Sequence, residues 1–158
     1  MARKLLLLLV PLLLGLMAGP ALAQATSTTI PFHGVTETFQ DVNPCTGEPA
    51  TIQITYNGVF HESTGADGSM HVTGTQTGTV VLTPEDPSLP SYTGRFTVWF
   101  GGNFNSSETV GFWETFSVRL IGSDGSRLTL NEVEQLHISA TGEVTVDFQN
   151  VNCRYRVS

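Results

Sequence analysis

After Lys4 the sequence contains no lysine. Its remaining positive charge is five arginines, Arg95, Arg119, Arg127, Arg154 and Arg156, set against 14 acids. Such a surface repels phosphate backbones and anionic lipid heads. This argues against nucleic acid and membrane as partners, unless a local basic patch is hidden by the total. Cysteine is equally scarce: Cys45 and Cys153 are the only two, and neither has the neighbours of a metal or redox motif. Beyond the first 23 residues no segment carries a helical hydrophobic period. There is no Ser-His-Asp nucleophile context, no zinc motif and no phosphate-binding loop, because the Gly-rich stretches are turns and none opens a helix. No cofactor and no metal are expected. The four histidines, His33, His61, His71 and His137, show no i, i+2 or i, i+4 ligand spacing.

The N-terminal residues are of a different kind. Arg3 and Lys4 precede an apolar run from Leu5 to Leu14, which relaxes into small residues and ends Ala21-Leu22-Ala23. A positive start, a short apolar middle and an Ala-x-Ala end predict a secretory signal peptide over 1–23. Pro11, Gly15, Gly19 and Pro20 interrupt the run, whereas a spanning helix wants about 20 predominantly apolar residues. The expectation is an exported, extracellular product, residues 24–158, forming one domain with nine negative charges in excess. In an oxidising compartment the two cysteines are expected to pair.

What is abundant is Thr, Val, Gly and aromatic residues, which favour pleated, half-buried backbone. Period-two alternation runs through Thr51–Tyr56, Arg95–Phe100, Glu114–Leu120, Arg127–Leu130 and Glu143–Phe148. Asp67-Gly68, Asp124-Gly125 and Thr141-Gly142 separate such runs as tight turns, and Pro84 to Pro90 is an exposed loop. Seven strands are predicted, at 32–42, 50–61, 69–82, 92–101, 109–121, 126–139 and 143–152. Short hairpins between long strands favour an all-β, antiparallel up-and-down barrel of about seven or eight strands, closed by a Cys45–Cys153 disulfide. The alternative is a β-sandwich. Gly74 and Gly78 share parity with Val72 and Val80, so they either let the sheet bend or admit a bulky neighbour.

The run Phe39 to Pro49, with Asn43-Pro44-Cys45-Thr46-Gly47 at its centre, continues into Ile54-Thr55-Tyr56-Asn57-Gly58-Val59-Phe60-His61 and later Gly122-Ser123-Asp124-Gly125-Ser126-Arg127. These segments resemble a group of small, uncharacterised, secreted and mostly actinobacterial β-rich proteins. The resemblance implies secretion and a β-rich domain, and no activity. In strand count and hairpin order alone the chain is similar to the barrels of allene oxide cyclases and dirigent proteins, with no catalytic motif to carry over.

Three places could hold chemistry. Tyr56, Phe60, Phe96, Phe100, Phe112, Phe116 and Phe148 fall on the apolar parity, and a barrel of this size either fills its interior or holds one small ligand. The leading expectation is therefore a non-enzymatic barrel that binds a small apolar ligand. Glu114, Glu132 and Glu134 share that parity. Burial and proximity would raise their pKa values, the signature of a general acid or base in an isomerase or cyclase. A bulge near Asn131 would instead turn Glu132 and Glu134 outward. Trp99 and Trp113 fall on the polar parity beside Arg95, Thr97, Thr115 and Arg119, where aromatics among hydrogen-bonding groups can grip a glycan or a protein. His61, beside Glu62 at a strand end, is the candidate functional histidine, and Asn105-Ser106-Ser107 is a glycosylation sequon.

Overall fold

A computed structural model describes residues 25–105 and 110–157. The predicted signal peptide and Ser106-Ser107 of the sequon lie outside the described residues. Seven strands, β1 (Thr26–Val42), β2 (Pro49–Thr64), β3 (Met70–Pro84), β4 (Tyr92–Phe104), β5 (Val110–Gly122), β6 (Arg127–Ile138) and β7 (Val144–Arg156), form one antiparallel sheet in sequence order. Because all seven belong to a single sheet, the two-sheet sandwich does not form. Among the described residues the expected ladder between first and last strands is not made either: β1 and β7 are the two edges. Among the described residues no helix is long and apolar enough to cross a membrane.

The hairpins follow from their turn chemistry. Gly68, Gly125 and Gly142 have φ of 79°, 82° and 79°, the left-handed conformation that glycine supplies at no steric cost. In the first two turns an aspartate locks the loop: Asp67 Oδ1 accepts Ser69 N at 3.0 Å, and Asp124 Oδ1 accepts Ser126 N at 2.9 Å. The Ser69 and Ser126 hydroxyls, which donate to the same oxygens, and then these backbone bonds favour the carboxylate and lower both pKa values.

The sheet curls. Cys45, in the β1–β2 turn, is bonded to Cys153 in β7, with Cα atoms 5.5 Å apart. In a flat sheet β2 and β7 would stand five strand spacings apart, about 24 Å. The turn is built to present its thiol: Asn43 is 3 % exposed, and its Oδ1 accepts Cys45 N at 3.0 Å. Its carbonyl accepts Gly47 N at 2.8 Å.

Curling makes one face inner and the other outer. The inner face is most tightly packed at the disulfide end, where Ala50, Leu82, Tyr92, Leu120, Leu128 and Leu130 form the core with Phe96 and Val118. Towards the other end Phe60, Phe112 and Phe116 are only half-buried. Gly74 faces Phe100 across the β3–β4 ladder. A Cβ there would lie 2.2 Å from Phe100 Cζ, so the glycine makes room for the ring. Gly74→Ala is expected to destabilise the fold by about 1–3 kcal/mol through overpacking, measured by denaturant unfolding. Adding Phe100→Leu should recover part of the loss.

Two strands differ from expectation. β1 starts at Thr26 rather than near residue 32, because a bulge at His33-Gly34 breaks the alternation while pairing with β2 continues on both sides. Pro31 sits within this edge strand, where a missing donor is tolerated. In β7 a bulge falls beside Val144: Ile138 pairs with Val144, but His137 pairs with Val146. The extra residue transfers all later side chains to the opposite face.

Candidate functional site

Of the seven aromatics expected to point inward, six do. Tyr56, Phe96 and Phe100 are buried and Phe60, Phe112 and Phe116 half-buried. Their rings pack on one another: Tyr56 meets Phe96 at 6.3 Å, Phe96 meets Phe116 at 6.1 Å, and Phe60 stacks on Phe100 at 6.4 Å. Tyr56 Oη donates to Glu37 Oε1 at 2.6 Å. Burial first, then Glu37, pushes the phenol up to about 12. Phe148 is the exception. The β7 bulge puts it on the outer face, 46 % exposed, in one row with Gln135 and Trp113.

The three glutamates are all on the inner face. The β5–β6 ladder runs without interruption through Asn131, pairing Glu114 with Glu134 and Phe116 with Glu132. The bulge that would have turned Glu132 and Glu134 outward is absent. The next strand adds Asp147, opposite Leu136, and Gln149, opposite Glu134. Gln149 Nε2 donates to Glu132 Oε1 at 2.6 Å. Burial drives the Glu114 carboxyl up to about 7, assisted by the negative charges of Glu134 and Glu132. Burial, then Glu132 and Asp147, raises Glu134 too. This group is an acid cluster that holds a proton on a carboxyl near neutral pH.

Trp99 and Trp113 stand on the outer face, as expected, but they are diagonal rather than opposite. Trp99 faces Thr75 and Thr115 across its two ladders, and Trp113 faces Gly101 and Gln135. Trp113 is fixed. A Cβ on Gly101 would come within 2.3 Å of its Cζ2, so the indole lies over the glycine. The His71 ring stands alongside at 6.2 Å and is itself hydrogen-bonded to Asn103. Trp99 is 65 % exposed. An exposed indole flanked by threonines is an apolar surface inside a field of hydroxyl groups.

His61 and Glu62 lie on opposite faces. His61 shares a hydrogen bond with Thr29 at 2.9 Å on the outer face, while Glu62 pairs with Val72 on the inner one. They do not form a site. Among the described residues no group of three or more His, Cys, Asp or Glu is placed to hold a metal ion. Two concavities open at the disulfide end. One, of about 240 Å³, is lined by residues including Ala50, Leu82, Tyr92 and Tyr155. The other, of about 330 Å³, lies among Gly125, Arg127, Arg156 and Val157. Neither is lined by Glu114 or by any of the seven aromatics expected to hold a ligand.

Sequence parity did not bring out a further feature. The described strands carry seven acids, Glu37, Asp41, Glu62, Glu114, Glu132, Glu134 and Asp147, and the register places every one on the inner face. All five arginines are exposed on the outer face. Arg95 pairs with Arg119, Arg119 with Thr129, and Thr129 with Arg154; in the next row Arg127 pairs with Arg156. The signal was available in the polar parity of these arginines, but only the β7 bulge settles the last two.

No family model, curated protein or solved structure matches the chain.

Proposed function

We propose that the protein is an exported, non-enzymatic binding module whose ligand is a glycan held on the outer face of β4–β7 by Trp99. The observation that carries this is the 65 % exposure of Trp99 among in-register threonines. An exposed indole of this kind stacks on the apolar face of a sugar ring, while hydroxyl and amide neighbours meet its polar edge. Trp113, fixed over Gly101, extends the platform. In this reading the inner face is a filled, barrel-like support tied at one end by the disulfide, and its aromatic residues serve packing rather than an apolar ligand. The disulfide is compatible with an extracellular location.

Trp99→Ala is expected to weaken glycan binding at least about tenfold, as for an interface hot spot, with little change in thermal midpoint, because the ring is exposed. Glycan-array binding followed by titration checks it. Equal binding by wild type and Trp99→Ala would remove the proposal.

A second reading rests on Glu114. A carboxyl held near 7 beside Glu134 has the acid–base poise of an isomerase or cyclase. It requires Glu114 to titrate in that range.

A further inference from the structure

The arginines lie on the same face as the Trp99 platform. Arg95, Arg119 and Arg154 lie in one register row across β4, β5 and β7, with Thr129 between the last two, and Arg127 and Arg156 occupy the adjacent row on β6 and β7. With strands about 4.8 Å apart and rows about 7 Å apart, the patch spans roughly 14 by 7 Å. No carboxylate from any described strand shares that face. Among the described residues no ion pair joins these arginines to an acid. Asp124, in the neighbouring turn, is engaged instead by Ser126 N and Oγ. Guanidinium groups left without counter-charges, in a chain with twice as many acids as bases, are a concentrated anion-binding surface. An open surface concavity among Gly125, Arg127, Arg156 and Val157 lies at its edge.

We infer that the ligand of this face is an acidic polysaccharide, with sugar rings on Trp99 and carboxylates or sulfates on the arginine rows. The inference rests on the glycan reading above and specifies the charge of its ligand. Charge density selects the polysaccharide over nucleic acid. Duplex DNA carries one charge per about 1.7 Å. A duplex longer than the patch would run on past acidic turns such as Asp67, Glu85, Asp86 and Asp124, all exposed. A uronic-acid polymer carries at most one charge per sugar, so a short basic patch satisfies it and little repulsion remains beyond. The guanidinium fork matches carboxylate and sulfate oxygens in bidentate pairs.

The test uses the purified, oxidised protein with polygalacturonate, dextran sulfate, neutral dextran, single-stranded DNA and anionic phospholipid vesicles as probes. Polygalacturonate or dextran sulfate should bind, with affinity falling as salt rises. The pair Arg119→Gln and Arg154→Gln should weaken that binding at least tenfold and flatten its salt dependence, at an unchanged thermal midpoint. Arg127→Gln with Arg156→Gln provides a second, independent pair of exposed variants. Undiminished binding by both double variants would overturn the inference. So would tighter binding of single-stranded DNA or of vesicles than of either acidic glycan. Binding of neutral glycans alone, dependent on Trp99 and indifferent to the arginines, would overturn the acidic ligand while leaving the glycan reading intact. Binding of no glycan of any charge would remove both.

Discussion

Replacing Cys45 and Cys153 by serine, or reducing the bridge, should lower the thermal midpoint by about 15–25 °C. The two cysteines are 108 residues apart. In the chain-entropy model a loop of about 100 residues confers roughly 4.7 kcal/mol by restricting the unfolded chain. For a domain of this size each kcal/mol moves the midpoint by several degrees. The folded side points the same way. β7 is an edge strand paired only with β6. Along it Val144, Val146, Phe148, Val151 and Tyr155 are all more than 40 % exposed, so burial does little to hold it. The bridge ties this strand to the β1–β2 turn. Calorimetry with and without reductant measures the midpoint, and hydrogen exchange should show the amides of β7 losing protection first. A shift below about 5 °C would mean that the curl of the sheet holds without the bridge.

The alternation of Thr, Val and aromatic residues made the seven strands and their order legible, because period two leaves a direct trace wherever one face is buried. The Asp-Gly and Thr-Gly turns were legible for the same local reason. What escaped was parity across irregularities. Val144, Val146 and Phe148 read as one apolar stripe, yet Cys153 must face Cys45, and the bulge beside Val144 reconciles the two by sending Phe148 outward. Glu132 and Glu134 invited a bulge at Asn131 because inward acids are costly. Instead the ladder stays regular, and the inner face at that level is only half-buried. Net charge averages over the two faces. Fourteen acids suggest a surface hostile to anions, but the register separates the charges of the strands by face. Only pairing across four strands assembles the arginine rows, and no single segment contains that information.

The protein should be more stable at pH 5 than at pH 8, the reverse of what buried ion pairs would give. Glu114 is raised from an ordinary 4.5 to about 7, first by burial and then by Glu134 and Glu132. A carboxyl whose folded value lies above its unfolded value binds its proton more tightly in the native state. Its stabilising contribution is complete below about pH 4.5 and is lost as the pH rises through about 7. The difference corresponds to roughly 3 kcal/mol at most. Glu134, raised for the same reasons, acts with the same sign. The turn aspartates Asp67, Asp86 and Asp124 are lowered by their serine hydrogen bonds. Their contribution is lost only on acidification below the ordinary carboxyl range, outside this window. Glu114→Gln keeps the shape and removes the titration, so it should raise stability at pH 8 by about 2–3 kcal/mol and change little at pH 5. Denaturant unfolding of both proteins at the two pH values measures the effect, and carbon-detected NMR follows the carboxyl itself. A Glu114 carboxyl titrating near 4, with equal stabilities for wild type and Glu114→Gln at pH 8, would rule out the buried proton and with it the acid–base reading of this face.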